Sequence, residues 1–359
     1  MSQSVLLCAG GTGGHMFPAE ALAHALAARG LAPHLVSDDR GRRYADTFPG
    51  TVHEVIFRPP SMRAPWQFVT RAPQAGKAWI AAKRIVRETR ADAAVGFGGY
   101  PTLLPMLAAR RSGCATLLHE QNAVLGRANR LLASRVDGVA SGFPLVGASS
   151  EVTGNPVRPA VLEASEADYA TPVAGGPLDL LVFGGSQGAQ YFSQVVPEAM
   201  ALLSDTHRQR IRLTLQARED DQPAARTALE ATGVAFEMAA FFSDMATRIA
   251  RSHLVLSRAG ASTVSELAVI GRPAILVPYP FALDHDQAAN AAELLRGGGV
   301  EVVTQANLPA AALAERFRHH LDNPAALADK ARAVRAAGHA DAAERLADLV
   351  ERTISRKRT

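Results

Sequence analysis

The glycine-rich stretch at residues 10–15, GGTGGH, constrains the fold of this chain more than any other segment. An apolar run at 5–9 precedes it, and a run typical of a helix follows at 19–28. Four glycines between a strand and a helix permit a tight turn whose N–H groups approach a ligand, and a helix N-terminus attracts anions. Pro18 suits the first turn of that helix, where its missing N–H costs little. Two interpretations are open here: an anion-binding turn with His15 beside the ligand, or an ordinary strand-to-helix connection.

Apolar runs alternate with helix-like runs along the rest of the chain. Strands are predicted at residues 5–9, 33–37, 52–57, 93–97, 115–119, 136–141, 178–183, 211–216, 234–238, 254–257 and 274–278. Helices are predicted between them, and a last one at 339–355 ends in a basic tip. This alternation is typical of parallel, doubly wound sheets. Because a second strand and glycine-rich turn occupies 178–189, we predict an α/β chain with two Rossmann-like domains that face each other.

The alternation of strands and helices stops at residues 154–159, GNPVRP. The residues that follow, 163–177, are rich in Ala, Gly, Pro and acidic side chains, which is typical of a linker. We therefore predict a first domain at 1–160 and a second at 161–337. The last helix, at about 338–356, is expected to pack back on the first domain.

The composition is that of a folded chain without a membrane span. Hydrophobic residues make up 48% of the 359 residues, which is enough for two cores. No apolar run approaches the roughly 20 residues that cross a bilayer, and no basic segment precedes the run at 5–9 as a secretory signal would require. Cys8 and Cys114 lie in strand-like runs, which indicates reduced core thiols. We expect a cytosolic protein.

Positive charge is concentrated in the first half of the chain. Residues 1–160 hold 18 Lys and Arg against 10 Asp and Glu, whereas the remainder holds 20 against 24. This imbalance favours an anionic partner for the first half, with a merely solvated surface as the alternative. Because no helix-turn-helix, RRM or zinc module is recognisable, we predict a membrane surface and no nucleic acid.

Residues 63–90 have the composition of a membrane-facing segment. Seven basic residues share this segment with one acid, Glu88, and apolar side chains are interleaved with them. The basic residues are Arg63, Arg71, Lys77, Lys83, Arg84, Arg87 and Arg90, and the apolar ones are Trp66, Phe68, Val69, Trp79, Ile80 and Ile85. Aromatic rings suit the bilayer interface and basic side chains suit anionic lipids. In the alternative, Trp79, Ile80 and Ile85 pack against the sheet and the basic residues are only solvated.

Small and polar residues collect where the predicted strands end. They occupy residues 12–15, 98–100, 119–122, 186–187, 257–266 and 284–287. Ligands of open α/β sheets bind outside these strand ends, so the site is predicted there. In SRAGASTVSE, residues 257–266, a helix is expected to start near Ser262 or Thr263, where N–H groups and hydroxyls suit a diphosphate and Glu266 suits ribose hydroxyls. An ordinary N-cap with a first-turn acid explains the same residues.

A dinucleotide-dependent oxidoreductase is the distant alternative. Asp38 and Asp39 follow Gly14 by 24 and 25 residues, near the position of a ribose-binding acid. The pattern G-x-G-x-x-G lacks its third glycine in the first turn, however, and the turn at 184–189 lacks the middle one. Both turns therefore disfavour a nicotinamide cofactor.

The strand-end motifs together resemble the MurG family of UDP-GlcNAc transferases. The motifs, in chain order, are GGTGGH with FP at 10–18, GGY at 98–100, HEQN at 119–122, GNPVR at 154–158, GGSQGA at 184–189 and RAGASTVSE at 258–266. The resemblance runs from about residue 5 to residue 295. It implies the GT-B fold, two Rossmann-like domains with the site in the cleft, and neither a bound catalytic metal nor a cofactor.

The resemblance also implies residues that contact UDP-GlcNAc and the acceptor. The donor side comprises Thr12, Gly13, Gly14, Asn122, Arg158, Ser186, Phe242, Ala261, Ser262, Thr263, Val264, Ser265, Glu266 and Gln287, and the acceptor side comprises Tyr100. In this scheme Gln287 contacts the GlcNAc hydroxyls. The chain departs from many members in two places: Asp286 stands where they have a first glutamine, and residues 58–66 replace a basic, glycine-rich acceptor loop.

The implied reaction is inverting transfer of GlcNAc from UDP to the C4 hydroxyl of undecaprenyl-pyrophosphoryl-MurNAc-pentapeptide (lipid I). The product, lipid II, serves peptidoglycan synthesis and thereby cell shape and division. A sugar hydroxyl needs a base to remove its proton, and the candidates are His15 and, second, Glu120. His15 equally suits orienting a substrate. Arg158 and a helix terminus can stabilise the departing UDP.

Other assignments stay open at this point. UDP-GlcNAc 2-epimerases and glycolipid glycosyltransferases share the fold and the donor. Asp284 and Asp286 have the spacing of a metal-diphosphate site, but the family pattern assigns this segment to sugar contacts. Because lipid I is held in the bilayer, the resemblance implies a peripheral protein on the cytoplasmic face of the inner membrane.

Overall fold

The computed structural model describes residues 2–41, 47–58, 66, 70–185, 188–282 and 286–359. The chain forms two compact units. The first comprises Met1–Arg158 and His339–Thr359, and the second comprises Pro159–Gly338. The division thus falls two residues before the boundary predicted at 160, and the C-terminal segment belongs to the first unit.

The first unit is a parallel sheet of seven strands with helices on both faces. Its strands are β1 (Ser4–Ala9), β2 (Ala32–Ser37), β3 (Thr51–Glu54), β4 (Ala93–Gly98), β5 (Ala115–Glu120), β6 (Gly138–Ser141) and β7 (Glu151–Val152). Among the described residues before 159, its α-helices are α1 (Gly13–Ala28), α2 (Ala72–Thr89), α3 (Leu103–Arg111) and α4 (Arg127–Leu132). The strand order is β3-β2-β1-β4-β5-β6-β7, which is the doubly wound Rossmann arrangement.

The second unit repeats this arrangement with six strands. They are β8 (Leu178–Phe183), β9 (Ile211–Gln216), β10 (Ala235–Ala239), β11 (Leu254–Ser257), β12 (Ala274–Leu276) and β13 (Val300–Val302), in the order β10-β9-β8-β11-β12-β13. The helices are α5 (Pro159–Ser165), α6 (Gln190–Ala201), α7 (Asp205–Arg208), α8 (Gln222–Thr232), α9 (Met245–Arg251), α10 (Ala261–Ile270), α11 (Asp286–Asn290), α12 (Ala292–Arg296), α13 (Ala310–Asp322) and α14 (Ala326–Ala336). The chain then returns to the first unit as α15 (Ala342–Arg358).

The hydrophobic cores explain why the strands read as unbroken apolar runs. Alternate residues of β1 point to opposite faces of the sheet. Val5 and Leu7 pack with α1 and α15, whereas Leu6 and Cys8 pack with α2 and α3. Because helices cover both faces, every residue of β1 is buried. Burial also raises the pKa of the Cys8 thiol, and both cysteines are free and buried.

Arg29 ties α15 to the first unit. It lies at the C-terminus of α1, and its Nη1 donates to Asp348 Oδ1 at 2.6 Å and to Glu351 Oε2 at 2.8 Å. Glu344 accepts from the same guanidinium. These acids lie on one side of α15, and its apolar side joins the core. None of the described helices is long and apolar enough to cross a bilayer.

The structure differs from the predicted elements at several boundaries. Helix α1 begins at Gly13, so the glycine-rich turn supplies its first residues and Pro18 lies inside the helix, not in its first turn. Helix α5 extends into the predicted linker. Strands β7 and β13 were not predicted, because two or three residues are too few to show an alternating or apolar pattern.

Candidate active site

The N-terminus of α1 presents bare backbone at the end of β1. Thr12 is the N-cap in an extended conformation, and the carbonyl of Thr12 accepts from the N–H groups of His15 and Met16. Gly11 has a φ of +76°, which glycine adopts without strain. A Cβ at Gly13 would lie 2.8 Å from the ring of Phe17. Conformation therefore favours glycine at residue 11, a side chain at residue 13 would displace the ring of Phe17, and the helix N-terminus that follows suits an anion.

The ring of His15 is held in one tautomer. Its Nδ1 lies 3.0 Å from the carbonyl oxygen of Gly10 and 3.2 Å from Thr12 Oγ1. Because a carbonyl only accepts, Nδ1 carries the proton and Nε2 keeps its lone pair. Desolvation lowers the pKa of His15, against the opposing effects of the Gly10 bond and the charge of Glu120. The imidazole is therefore neutral at physiological pH and has an acceptor nitrogen.

Glycine is required next to this nitrogen at the end of β4. Gly98 has a φ of +100°, and a Cβ there would lie 3.1 Å from His15 Nε2. A larger residue would be strained and would crowd the ring. Tyr100 follows in a short 3₁₀ turn and is 39% exposed, so its side chain is accessible to a substrate.

Glu120 lies at the end of β5 with both carboxylate oxygens occupied. Oε1 accepts from the backbone N–H and the side-chain amide of Asn122 at 3.0 and 3.2 Å. Oε2 accepts from the N–H of Gly126 at 2.8 Å and from Asn129 Nδ2 at 2.9 Å. The side chain is 2% exposed. Glu120 thus organises the loop that carries Asn122, and buried Asn129 is a member of this network that the sequence motifs did not identify.

His119 has a structural environment. Its Nε2 lies 3.0 Å from the carbonyl of Gly154, and Gln121 Nε2 lies 3.1 Å from its Nδ1. The side chain is fully buried, and burial lowers the pKa of His119 to about 4. Asn155 donates to the carbonyl of Gln121 at 2.9 Å. These bonds fasten the end of β5 to the segment that precedes Arg158, whose guanidinium lies 4.8 Å from the ring centroid of Phe17.

In the second unit, α10 provides another helix N-terminus at the end of a strand. Gly260 is the N-cap and accepts from the N–H of Val264, so the helix begins at Ala261, one residue before the predicted start. Ser262 and Thr263 are half-buried at this end. Ser265 and Glu266 follow within the first turns and are 7% and 8% exposed. N–H groups, hydroxyls and a carboxylate are therefore assembled within six residues.

Two further predicted residues follow other strands of the same sheet. The side-chain Oε1 of Gln287 accepts from the N–H of Tyr279 at 2.9 Å. Phe242 follows β10, is 5% exposed, and has the guanidinium of Arg248 4.1 Å from its ring centroid. Ser186 lies outside the described residues, as does Asp284. Among the residues that the structure describes, no three His, Cys, Asp or Glu side chains are placed to hold a metal ion.

Two family descriptions match the two units. "Glycosyltransferase family 28 N-terminal domain" matches residues 5–141, and "Glycosyltransferase family 28 C-terminal domain" matches residues 179–346. Among solved structures, the chain is similar to Acinetobacter baumannii MurG, with 27% identity and a TM-score of 0.78 over 98% of this chain and all of the other. A putative UDP-N-acetylglucosamine 2-epimerase from Listeria monocytogenes, with 15% identity and a TM-score of 0.69, shares the fold. The predicted α/β class, with two Rossmann-like domains of GT-B type, is confirmed.

Curated relatives match over nearly the full length. A UDP-N-acetylglucosamine--N-acetylmuramyl-(pentapeptide) pyrophosphoryl-undecaprenol N-acetylglucosamine transferase from Mesorhizobium japonicum is 53% identical, covering 98% of this chain and 96% of the relative. A protein of the same name from Sinorhizobium fredii is 52% identical, covering 97% and 94%. Because these alignments cover nearly all of this chain and of each relative, no large segment of any of them is left unmatched. The chain therefore belongs to the MurG family of N-acetylglucosamine transferases, within glycosyltransferase family 28.

Proposed function

We propose that this protein transfers GlcNAc from UDP-GlcNAc to the C4 hydroxyl of lipid I, with inversion, to give lipid II for peptidoglycan synthesis. The observation that carries the proposal is the 53% identity, across nearly the whole chain, to a transferase named for this acceptor. The local geometry suits glycosyl transfer. The neutral imidazole of His15 lies at the N-terminus of α1, and the carboxylate of Glu266 follows the N-terminus of α10. The epimerase similarity concerns the fold alone.

The donor contacts that we propose are those implied by the family resemblance, and the chemical groups of these residues suit them. We assign the diphosphate to the α10 terminus, Ala261–Ser265, together with Arg158 and Ser186, and the ribose hydroxyls to Glu266. Phe242 is assigned to the uracil side. The GlcNAc is assigned to Gln287 and Asn122, and Thr12, Gly13 and Gly14 approach it and the diphosphate. A carboxylate accepts from two hydroxyls at once, and N–H dipoles stabilise the charge that develops on departing UDP.

His15 is the better candidate for the base. A base needs a lone pair and a pKa that leaves it unprotonated at working pH, and the bond from Nδ1 to Gly10 leaves Nε2 in that state. Glu120 already accepts four N–H groups, which favours a positioning role for it. Tyr100, exposed beyond β4, is assigned to the acceptor.

Product analysis with and without lipid I tests the assignment of the reaction. Incubation with UDP-GlcNAc and lipid I is expected to release UDP and to add one GlcNAc to the lipid. Without lipid I, the donor should stay intact apart from slow hydrolysis, because transfer needs the acceptor hydroxyl. Formation of the 2-epimer without any acceptor would contradict transfer, and NAD binding without UDP binding would contradict both sugar-nucleotide reactions.

We also propose that the first unit rests on the cytoplasmic face of the inner membrane. Its α2, with the C-cap residue Arg90, exposes a basic face consisting of Lys77, Lys83, Arg84, Arg87 and Arg90, with exposed Ile80 beside it. Arg111 of α3 lies 5.0 Å from the ring centroid of half-buried Trp79. Ile85 packs into the core. Exposed Trp66 belongs to the same predicted segment, whereas Arg63, Phe68 and Val69 lie outside the described residues. Because its polyprenyl chain holds the acceptor in the bilayer, the enzyme must reach the membrane surface, and a basic face suits the anionic lipids there.

Sedimentation with vesicles tests the membrane face. The double variant Lys83→Glu with Arg84→Glu is expected to bind anionic vesicles at least about tenfold more weakly, since each basic residue near an anionic leaflet contributes about 1 kcal/mol. UDP affinity should be unchanged. The matched control is Arg318→Glu with Arg332→Glu, two exposed arginines of the second unit, which should leave vesicle binding unaltered. If the wild type bound neutral and anionic vesicles equally well at low salt, the basic face would make no electrostatic contribution to membrane binding.

A further inference from the structure

Arg258 is a buried cation in the second unit to which the reaction scheme above gives no role. It directly follows β11 and is 7% exposed. No carboxylate pairs with it among the described residues. Its charge instead faces three aromatic rings, with centroids 5.5 Å away for Tyr191, 5.0 Å for Phe192 and 5.5 Å for Tyr279. Such rings favour a cation electrostatically, which compensates part of the cost of burial.

The hydrogen bonds of Arg258 reach the segment that follows β12. Nη1 lies 3.2 Å from the carbonyl of Val277 and 3.5 Å from that of Pro278. Nη2 donates to Gln305 Oε1 at 2.8 Å. The planar guanidinium therefore fixes the backbone of residues 277–278 from one side, while Tyr279 covers it with its ring.

The same segment orients Gln287. The N–H of Tyr279 donates to Gln287 Oε1 at 2.9 Å. Because a backbone N–H only donates, the amide oxygen must face Tyr279, and the amide NH₂ is left to donate elsewhere. The direction in which Gln287 donates therefore depends on the backbone position of Tyr279, and that position depends on Arg258.

We propose that Arg258 is a positioning residue for sugar selection, acting through the 277–279 backbone on the amide of Gln287. The inference rests on the proposed function, because it takes Gln287 as the contact to the GlcNAc hydroxyls. A displaced amide would still tolerate the nucleotide but would no longer distinguish the orientation of a sugar hydroxyl. The expected signature is a loss of discrimination between UDP-GlcNAc and its 4-epimer UDP-GalNAc, with UDP affinity retained.

The variant Arg258→Lys separates geometry from charge. Lysine keeps the positive charge, but its single ammonium group cannot replace the planar, forked set of donors that spans two carbonyls and Gln305. We expect the preference for UDP-GlcNAc over UDP-GalNAc, measured by calorimetry, to fall about tenfold, as for loss of one well-oriented hydrogen bond. UDP affinity should change less than about twofold, since no assigned nucleotide contact is removed.

A double-mutant cycle with Gln287→Ala tests the route. If Arg258 acts through Gln287, Arg258→Lys should have less than about a twofold effect on sugar preference once Gln287 is alanine. If the two substitutions instead reduced sugar preference independently, so that their fold-changes multiplied in the double variant, the inference would be overturned. Gln305→Ala provides a milder perturbation, because it removes one anchor of the guanidinium and leaves the cation in place. The effect of Gln305→Ala on sugar preference should likewise disappear once Gln287 is alanine. This second cycle tests the inference even if Arg258→Lys folds poorly.

Arg272 supplies a matched control. It is 1% exposed, donates to the carbonyls of Ala250 and Ile270, and has the ring of Tyr169 5.4 Å away. Arg272→Lys therefore makes the same chemical change beyond the C-terminal end of α10, away from Gln287. Arg272→Lys should lower Tm and leave the preference for UDP-GlcNAc over UDP-GalNAc intact. If it reduced that preference as much as Arg258→Lys does, the loss would reflect general destabilisation of the second unit, and the inference would be overturned. A wild type that binds neither UDP nor UDP-GlcNAc would instead refute the proposed function.

Discussion

Replacing His15 with alanine is expected to lower kcat about 100-fold or more while UDP affinity changes little, because general bases contribute roughly that much to a rate. The Nδ1 bond to Gly10 leaves Nε2 with a lone pair, as the proposed role of accepting the sugar hydroxyl proton requires. The measurement is kcat with saturating donor and acceptor, together with calorimetry for UDP. Retained turnover with lost UDP binding would make His15 a donor contact instead.

The pH profile provides a second readout for the same residue. Desolvation lowers the pKa of His15 from 6.5, so kcat/KM, which reports ionisation of the free enzyme, should be constant at neutral pH and should fall as the pH drops through a value below 6.5, where Nε2 becomes protonated. His15→Ala should remove this acidic limb. His24, an exposed histidine on the same helix, is the matched control, and His24→Ala should keep both the rate and the limb.

Glu120→Gln is expected to destabilise the first unit by about 2–4 kcal/mol, because one acceptor oxygen is exchanged for an NH₂ group that faces buried N–H donors. For a unit of this size, Tm should fall by about 5–10 °C. The loop bearing Asn122 should shift, which raises the KM for UDP-GlcNAc, while the acidic limb set by His15 persists. Thermal unfolding and steady-state kinetics measure both effects.

Glu151→Gln is the matched control for this substitution. Glu151 lies on β7 of the same unit and pairs with Arg352 at 2.6 Å, but both side chains are about half exposed. Exposed pairs contribute about 0–1 kcal/mol, so Tm should barely change. If Glu120→Gln kept its Tm yet abolished turnover and the acidic limb, Glu120 and not His15 would be the base.

The sequence was sufficient to predict parallel, doubly wound sheets, but not their strand order, because of how the strands are buried. Runs such as LVF in β8 and VLLCA in β1 are apolar throughout, since helices cover both faces of each sheet. The start of α1 was mispredicted because glycine has a low helix propensity, and that preference was outweighed in the folded turn. The edge strand β7 was not predicted because two residues are too few to show the alternation of apolar and polar side chains that indicates a strand.

The candidate site was predictable only in outline. Their positions at strand ends made His15, Glu120 and Glu266 candidate site residues, since ligands of open α/β sheets bind there. Their individual states depend on tertiary contacts. The carbonyl that fixes the tautomer of His15 and the amide of Asn129 on Glu120 cannot be inferred from spacing, nor can the three rings around Arg258.

The return of α15 to the first unit has a consequence for biosynthesis. Residues Pro159–Gly338 form a continuous unit that is complete before the ribosome reaches the C-terminal helix. The first unit, although its strands are translated earlier, lacks α15, whose apolar residues share a core with Leu22 and Leu26 of α1, until that helix has been synthesised. Its nascent form therefore exposes an apolar strip that chaperones recognise, and a premature stop codon that removes only α15 would leave that strip uncovered for the life of the protein.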